Sequence, residues 1–313
     1  MNLQTTAMKL ACIAILAIGI LTPCSAQMKF VEDPAKGTLT LFDGQKSVLT
    51  YCFGDQLKRG LNPRHTRSCY IHPLFALDGR VLTDDFPKDH LHHHGVSWTW
   101  PVVKTRGRNT QTWHSVTPSL RQHFVRWVER VTGNSTASLR IETVWKLDGQ
   151  ETVARENVTL HVLPADDLGR AIDLELKIQA VDGTLELRGA PDQNKGYGGL
   201  NIRGAPMFKG AALTTDQRSL KKDSTNVPFR WADMSTGELG VAIFVSPDHP
   251  GFPTTWLIRN SYAGILNASW PGLTSVILQP GNPVILRYRL YIHRGDANTG
   301  RVRHAYKRYL KSL

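Results

Sequence analysis

Apolar and polar residues alternate along most of this chain with the period of two that marks a half-buried strand. In residues 171–179, Ile172, Leu174, Leu176 and Ile178 are separated by Asp173, Glu175 and Lys177, giving one apolar and one wet face. "TLTLFDGQKSVLTY" (38–51) is two alternating runs about Asp43-Gly44. The design recurs about Asp148-Gly149 in 138–163 and about Asp182-Gly183 in 171–189. Asp-Gly between alternating runs predicts hairpins, because glycine accepts the positive φ of such turns. "LGVAIFV" (239–245) predicts a strand buried on both faces, and 275–295 predicts strand, Pro-Gly turn and long strand. Helical spacing is confined to the tail, where Val302, Ala305, Tyr306, Tyr309 and Leu310 share a face. Many closely spaced strands with one terminal helix predict an all-β fold, a large antiparallel sandwich with a short C-terminal helix.

The first residues break this pattern. Lys9, an apolar run from Leu10 to Leu21 and the small-residue site Cys24-Ser25-Ala26 predict a secretory signal peptide over 1–26, cut after Ala26. Pro23 argues against lipid attachment at Cys24. No later run reaches the ~18 consecutive apolar residues of a membrane span. The expectation is a single domain over 27–313, without a transmembrane segment, in the periplasm or outside the cell. Cys52 and Cys69 remain after processing, and export permits a disulfide between them or two free thiols.

The formal net charge is +12, and cleavage removes one lysine and no acid, leaving +11. Such a charge favours anionic partners. A nucleic-acid partner is not expected, since helix-turn-helix pattern, zinc-finger spacing and long basic runs are missing. The serine-hydrolase elbow and the dinucleotide fingerprint are missing too. Four stretches, 54–69, 83–114, 190–210 and 246–272, read as loops on which binding groups gather.

Candidate chemistry concentrates in those stretches. "DHLHHHG" (89–95) places His90, His92, His93 and His94, four of the chain's twelve histidines, within five positions. Were this segment extended, His90, His92 and His94 would share one face and His93 the other. Histidine is the natural proton carrier near neutral pH. Imidazoles on one face, oriented by Asp84, Asp85 or Asp89, are equally a ligand set for a divalent metal: zinc, calcium or copper. The catalytic candidates are Asp89, His90, His92, His93, Tyr197 and Arg203, and the metal candidates His90, His92 and His93. "KGYGGLNIRG" (195–204) lets backbone approach a ligand or another strand. Tryptophan faces stack on sugar rings, and arginines bind hydroxyls or carboxylates. Trp98, Trp231, Trp256 and Arg259, with His72 and His293, are therefore the substrate-binding candidates, and the expected partner is a saccharide.

"TDDFPKDHLHHHGVSWTW", "KGYGGLNIRG", "FRWADMSTGELGVAIFVSPDHPGFPTTWLIRN" and "LQPGNPVILRYRLYIHRGD" occur in that order over about residues 40–311. Together they resemble a family of bacterial proteins labelled PmoA-like, or methane oxygenase PmoA. That family's D-H-x-H-H-R-G pattern is matched at Asp89, His90, His92, His93 and Gly95, whereas His94 stands where arginine is expected. The label implies a copper-type oxidase or oxygenase, although the membrane subunit of that name crosses the bilayer several times and no run after residue 26 is long enough for such a span. The β pattern and the last strand look like the galactose-mutarotase-like supersandwich, a fold of sugar epimerases, polysaccharide lyases and parts of glycoside hydrolases. That resemblance implies an exported carbohydrate-active enzyme of lyase, hydrolase or epimerase type, with a non-catalytic carbohydrate-binding protein as the alternative.

Overall fold

The computed structural model describes residues 27–313, so the expected signal peptide lies outside the described residues. Two nine-stranded antiparallel sheets stack face to face. In the first, the strand order is Met28–Asp33, Thr38–Asp43, Lys46–Cys52, Tyr70–Leu74, Val96–Thr99, Gly199–Arg203, Ile265–Ser269, Thr255–Arg259 and Ser224–Pro228. In the second, short strands at 219–220 and 212–215 lead into Trp231–Ser235, Leu239–Val245, Val284–Arg294, Gly169–Ala180, Glu151–Val162, Ala137–Leu147 and Leu120–Thr132. A four-stranded sheet (276–278, 185–188, 102–105, 108–110) adjoins them. The large antiparallel β-sandwich expected from the sequence is the fold observed. One contiguous apolar cluster fills its centre, with Leu41, Val96, Leu200 and Leu266 from the first sheet and Ile141, Leu160, Leu174 and Leu290 from the second. The helix Val302–Lys311 lies on the second sheet, burying Val302, Ala305, Tyr306 and Tyr309 against Trp231, Phe244 and Tyr291. Leu310, expected on that face, is exposed.

The Asp43-Gly44 and Asp148-Gly149 hairpins form as the alternation predicts. The third expected hairpin does not. Gly169–Ala180 already pairs on both edges, with Glu151–Val162 and Val284–Arg294. The turn at Asp182-Gly183 therefore carries the chain into the small sheet, where Leu185–Arg188 pairs with Val102–Thr105. Three of the stretches read as loops also contain strands. Val96–Thr99, Gly199–Arg203 and Ile265–Ser269 are buried at every position, and a strand covered on both faces has no alternation to reveal it. Buried Asn267 satisfies the backbone there, accepting from Gly198 N at 3.0 Å and donating to Leu200 O at 2.8 Å.

Cys52 and Cys69 are both free thiols. Cys52 Sγ donates to the carbonyl of His72 at 3.3 Å, while Cys69 Sγ lies 3.8 Å from Ser68 Oγ. Burial pushes both thiols up to about 12.

The histidine segment is stitched to the central strand Gly199–Arg203. Asp84 N donates to Arg203 O at 2.9 Å, Gly95 N to Asp84 O at 2.9 Å, and Arg203 N to Gly95 O at 2.8 Å. Gly95 makes this possible, because a Cβ there would sit 2.0 Å from the carbonyl oxygen of Ile71. Gly95→Ala is expected to destabilise the fold by about 1–3 kcal/mol, the usual range for overpacking. Urea unfolding checks this, and an unchanged midpoint would show that the close approach does not constrain the segment.

Candidate functional site

Between Asp84 and Gly95 the chain makes two consecutive turns, closed by His90 N to Pro87 O at 3.1 Å and His93 N to His90 O at 2.9 Å. The segment is thus not extended, and the expected sharing of one face by His90, His92 and His94 is replaced by a fan of rings. His90 and His93 stack with centroids 4.8 Å apart and planes 8° from parallel. Tyr262 continues the stack beyond His90 at 5.4 Å. His92 turns the other way and meets His114 at 4.1 Å. His94 points inward: its Nδ1 is 2.7 Å from Asp85 Oδ1, and Tyr70 Oη donates to Asp85 Oδ2 at 2.8 Å.

Arg203 organises the stack. Its Nη2 donates to both carboxylate oxygens of Asp89, at 2.8 and 3.0 Å, and its Nη1 lies 3.0 Å from His93 Nδ1. Guanidinium only donates, so His93 Nδ1 accepts and its ring proton resides on Nε2. His94, donating from Nδ1 to Asp85, takes the opposite tautomer. Asp89 Oδ2 is also 3.1 Å from His90 Nδ1, but outside hydrogen-bonding angles. Partial burial works against ionised Asp89, yet contacts with His90 and Arg203 hold its carboxyl below the usual range.

Beside this network lies an open cleft of about 720 Å³, bordered among others by Asp89, His90, Arg203, Arg259, Tyr262 and Lys209. Arg259 ends the strand Thr255–Arg259 next to Ile265, which also pairs with Arg203, so the two guanidinium groups come from the strands on either side of Ile265–Ser269. The turn after Arg259 is fixed by Asp223, which accepts from the backbone of Asn260 at 3.0 Å and from Ser261 Oγ at 2.6 Å. Arg259 Nη1 donates to Tyr262 Oη at 3.3 Å.

Of the residues singled out from the sequence, Asp89, His90, Arg203 and Arg259 meet at this cleft. His93 backs it through Arg203. Tyr197 is half-buried against Trp113, 4.8 Å away, and Trp113 meets the edge of His93 at 6.0 Å. The glycines around Tyr197 serve strand packing: Gly199 has a φ of +82°, and a Cβ there would lie 3.2 Å from the carbonyls of Ala268 and Trp270. Several other expected binding residues lie elsewhere. Trp98 and Trp256 are fully buried, with Trp256 Nε1 donating to Phe229 O at 2.9 Å, so neither has a face for a sugar. Trp231 packs under the C-terminal helix on the second sheet. His293 is enclosed on that sheet, 2.7 Å from Asp233. His72 sits beneath the histidine segment, with Nδ1 2.9 Å from Thr83 Oγ1. Tyr262, Lys58, Lys88 and Lys209 were not singled out. They stand in stretches read from the sequence as loops on which binding groups gather, but nothing in their spacing separates them from ordinary surface residues.

A shared metal ion does not fit His90, His92 and His93 as arranged. Each ligating imidazole must aim a nitrogen at the ion within its own plane from about 2.0–2.1 Å. Stacked parallel rings direct those lone pairs side by side, His92 is turned nearly perpendicular to both, and His93 Nδ1 is taken by Arg203. Among the described residues no three His, Cys, Asp or Glu side chains gather in a metal-holding group.

The rings of His92, His93 and His94 are held as neutral bases. Burial, then the proximity of His114 and His90, pushes His92 down to about 3. Burial, with His92 and Arg203, also drives His93 well down, and burial lowers His94 despite Asp85. A histidine with a depressed folded pKa contributes stability above its unfolded value near 6.5, and that stability is lost as pH falls. The melting temperature is therefore expected to drop between about pH 6.5 and 3. His92→Gln should flatten the drop, and an equal slope in both proteins would contradict the assignment.

No curated protein matches the sequence. Among solved structures, a GalM/aldose epimerase homologue from C. elegans aligns with 86% of this chain and 100% of its own at 9% identity and a TM-score of 0.38. A heparinase III with methylated lysines aligns with 88% of this chain at the same identity and TM-score. This chain spans about a third of that protein, 36% of its length. Scores this low carry no argument about activity. Neither structure, nor the family that does match, bears the methane oxygenase designation suggested by the motifs. Residues 38–307 match the profile of DUF6807, a family of unknown function, and the chain belongs to that family.

Proposed function

We propose that this is an exported carbohydrate-active enzyme whose cleft binds a saccharide and whose histidine segment moves protons on it. The observation that carries the reading is His90 at the cleft wall, stacked between Tyr262 and His93 and next to the Asp89–Arg203 pair. An accessible imidazole beside a carboxylate that can orient it is equipped for general acid–base work. A cleft of about 720 Å³ is within the range that holds small ligands and sugar units. Its walls mix guanidinium and ammonium donors, carboxylate acceptors and the Tyr262 ring, which suits the hydroxyls and flat faces of a sugar better than a purely apolar molecule.

In this reading Arg259 and Tyr262 hold the sugar, and His90 removes or returns a proton at a ring carbon or glycosidic oxygen. Asp89 steadies His90 while Arg203 fixes Asp89 from below. His93 stays neutral and acts as the floor of the stack. Lyase, epimerase and hydrolase chemistry all require such a proton carrier, and the products distinguish them.

Incubation of the protein with pooled uronate-containing and neutral glycans, followed by mass spectrometry, is expected to reveal product. His90→Ala should lower its rate at least about 10²-fold, the usual contribution of a positioned proton carrier, with the melting temperature preserved. Glycan affinity with no product on long incubation would make this a binding protein instead. Product formation undiminished in His90→Ala would remove His90 from the mechanism.

A further inference from the structure

The charge around the cleft is lopsided. Lys58, Lys88, Lys209, Arg203 and Arg259 border it, against the carboxylates of Asp84 and Asp89. Asp89 is engaged by Arg203, and Asp84 Oδ1 accepts the backbone N–H of Asp85 at 2.8 Å. Among the described residues, the three lysines and Arg259 have no acidic partner.

Arg259 is the most exposed to this imbalance. Its only protein acceptor among the described residues is the Tyr262 hydroxyl, at a long 3.3 Å, and its Nε is buried without a partner. The nine-tenths-buried guanidinium of Arg203 likewise keeps an unpartnered Nε. The Tyr262 ring lies 5.7 Å from the Arg259 guanidinium and 6.0 Å from that of Arg203, so both cations converge on one aromatic wall. A partly desolvated guanidinium with vacant donors is best satisfied by an oxyanion with two oxygens placed to accept two N–H bonds at once, as in a carboxylate or a sulfate. Lys209 and Lys58 add long-range attraction at the rim.

We infer that the ligand of this cleft is an acidic saccharide, and that Arg259, supported by Lys209, grips its carboxylate or sulfate group. The inference rests on the saccharide reading above and names the ligand class for it. The oxyanion sits against Arg259 and Tyr262, which places the attached sugar ring within reach of His90. A carboxylate bound this way is also charge-neutralised, and for a uronate that eases removal of the neighbouring carbon-bound proton.

The test is a glycan array of uronate, sulfated and neutral oligosaccharides, followed by calorimetry on the best binder and on its uncharged counterpart, carboxyl-reduced or desulfated. The inference expects acidic glycans to dominate the array and the uncharged counterpart to bind at least ten-fold more weakly. Arg259→Gln should weaken the acidic glycan about 10–100-fold, as expected on losing a buried charge-assisted contact. Lys209→Gln should weaken it less, and Kd should rise with salt. The lysine variant and the salt series decide the matter should Arg259→Gln not fold. Uronate and sulfate arms separate the two oxyanions. Equal affinity for acidic and neutral forms would overturn the inference and leave the saccharide reading standing. Silence across the array, with inorganic sulfate still raising the melting temperature of the wild type but not of Lys209→Gln, would overturn the saccharide reading and keep an anion site. Silence in both would overturn both.

Discussion

The site depends on one buried cation. Arg203 projects from a strand covered on both faces, and a guanidinium there is tolerable only if its charge is compensated. Asp89 supplies the compensating charge and His93 an acceptor. Both come from the short segment that the backbone of Arg203 itself holds in place. The side chain and main chain of one residue therefore impose the same constraint, and the two turns of the histidine segment follow from it.

From that constraint comes the division of labour among the histidines. His93 is locked as a neutral acceptor by its guanidinium neighbour, and His94 is locked in the opposite tautomer by Asp85 and Tyr70. His92 is pressed against His114. His90 alone of the four borders the open cleft. A run that looks like a repeated ligand set is, in three dimensions, one ring at the open cleft, two buried rings and a fourth turned away toward His114.

Much of this was legible in the sequence, and the failures have a common physical origin. Half-buried strands such as Gly169–Ala180 announced themselves by alternation, and the helix Val302–Lys311 by its apolar stripe. Strands such as Val96–Thr99 and Gly199–Arg203 did not, because burial on both faces erases the period that identifies a strand. Histidines, glycines and arginines marked the stretches that border the cleft. Which residues within them converge was not readable, because convergence is set by pairing across the first sheet. Arg203 and Arg259 are 56 positions apart in the chain, yet both lie beside Ile265. Trp98, Trp256 and His293 show the opposite error: residue types rich in binding chemistry were placed in the core, where Trp256 and His293 satisfy their polar atoms internally.

The central claim is that Arg203 fixes His93 as a neutral ring with its proton on Nε2. Long-range proton–nitrogen NMR of the histidine side chains, recorded from pH 8 down to 4, reports tautomer and charge ring by ring. The account predicts that His93 shows an unprotonated Nδ1 and a protonated Nε2 across the whole range. A His93 ring that becomes doubly protonated near pH 6.5, or that carries its proton on Nδ1, would contradict it.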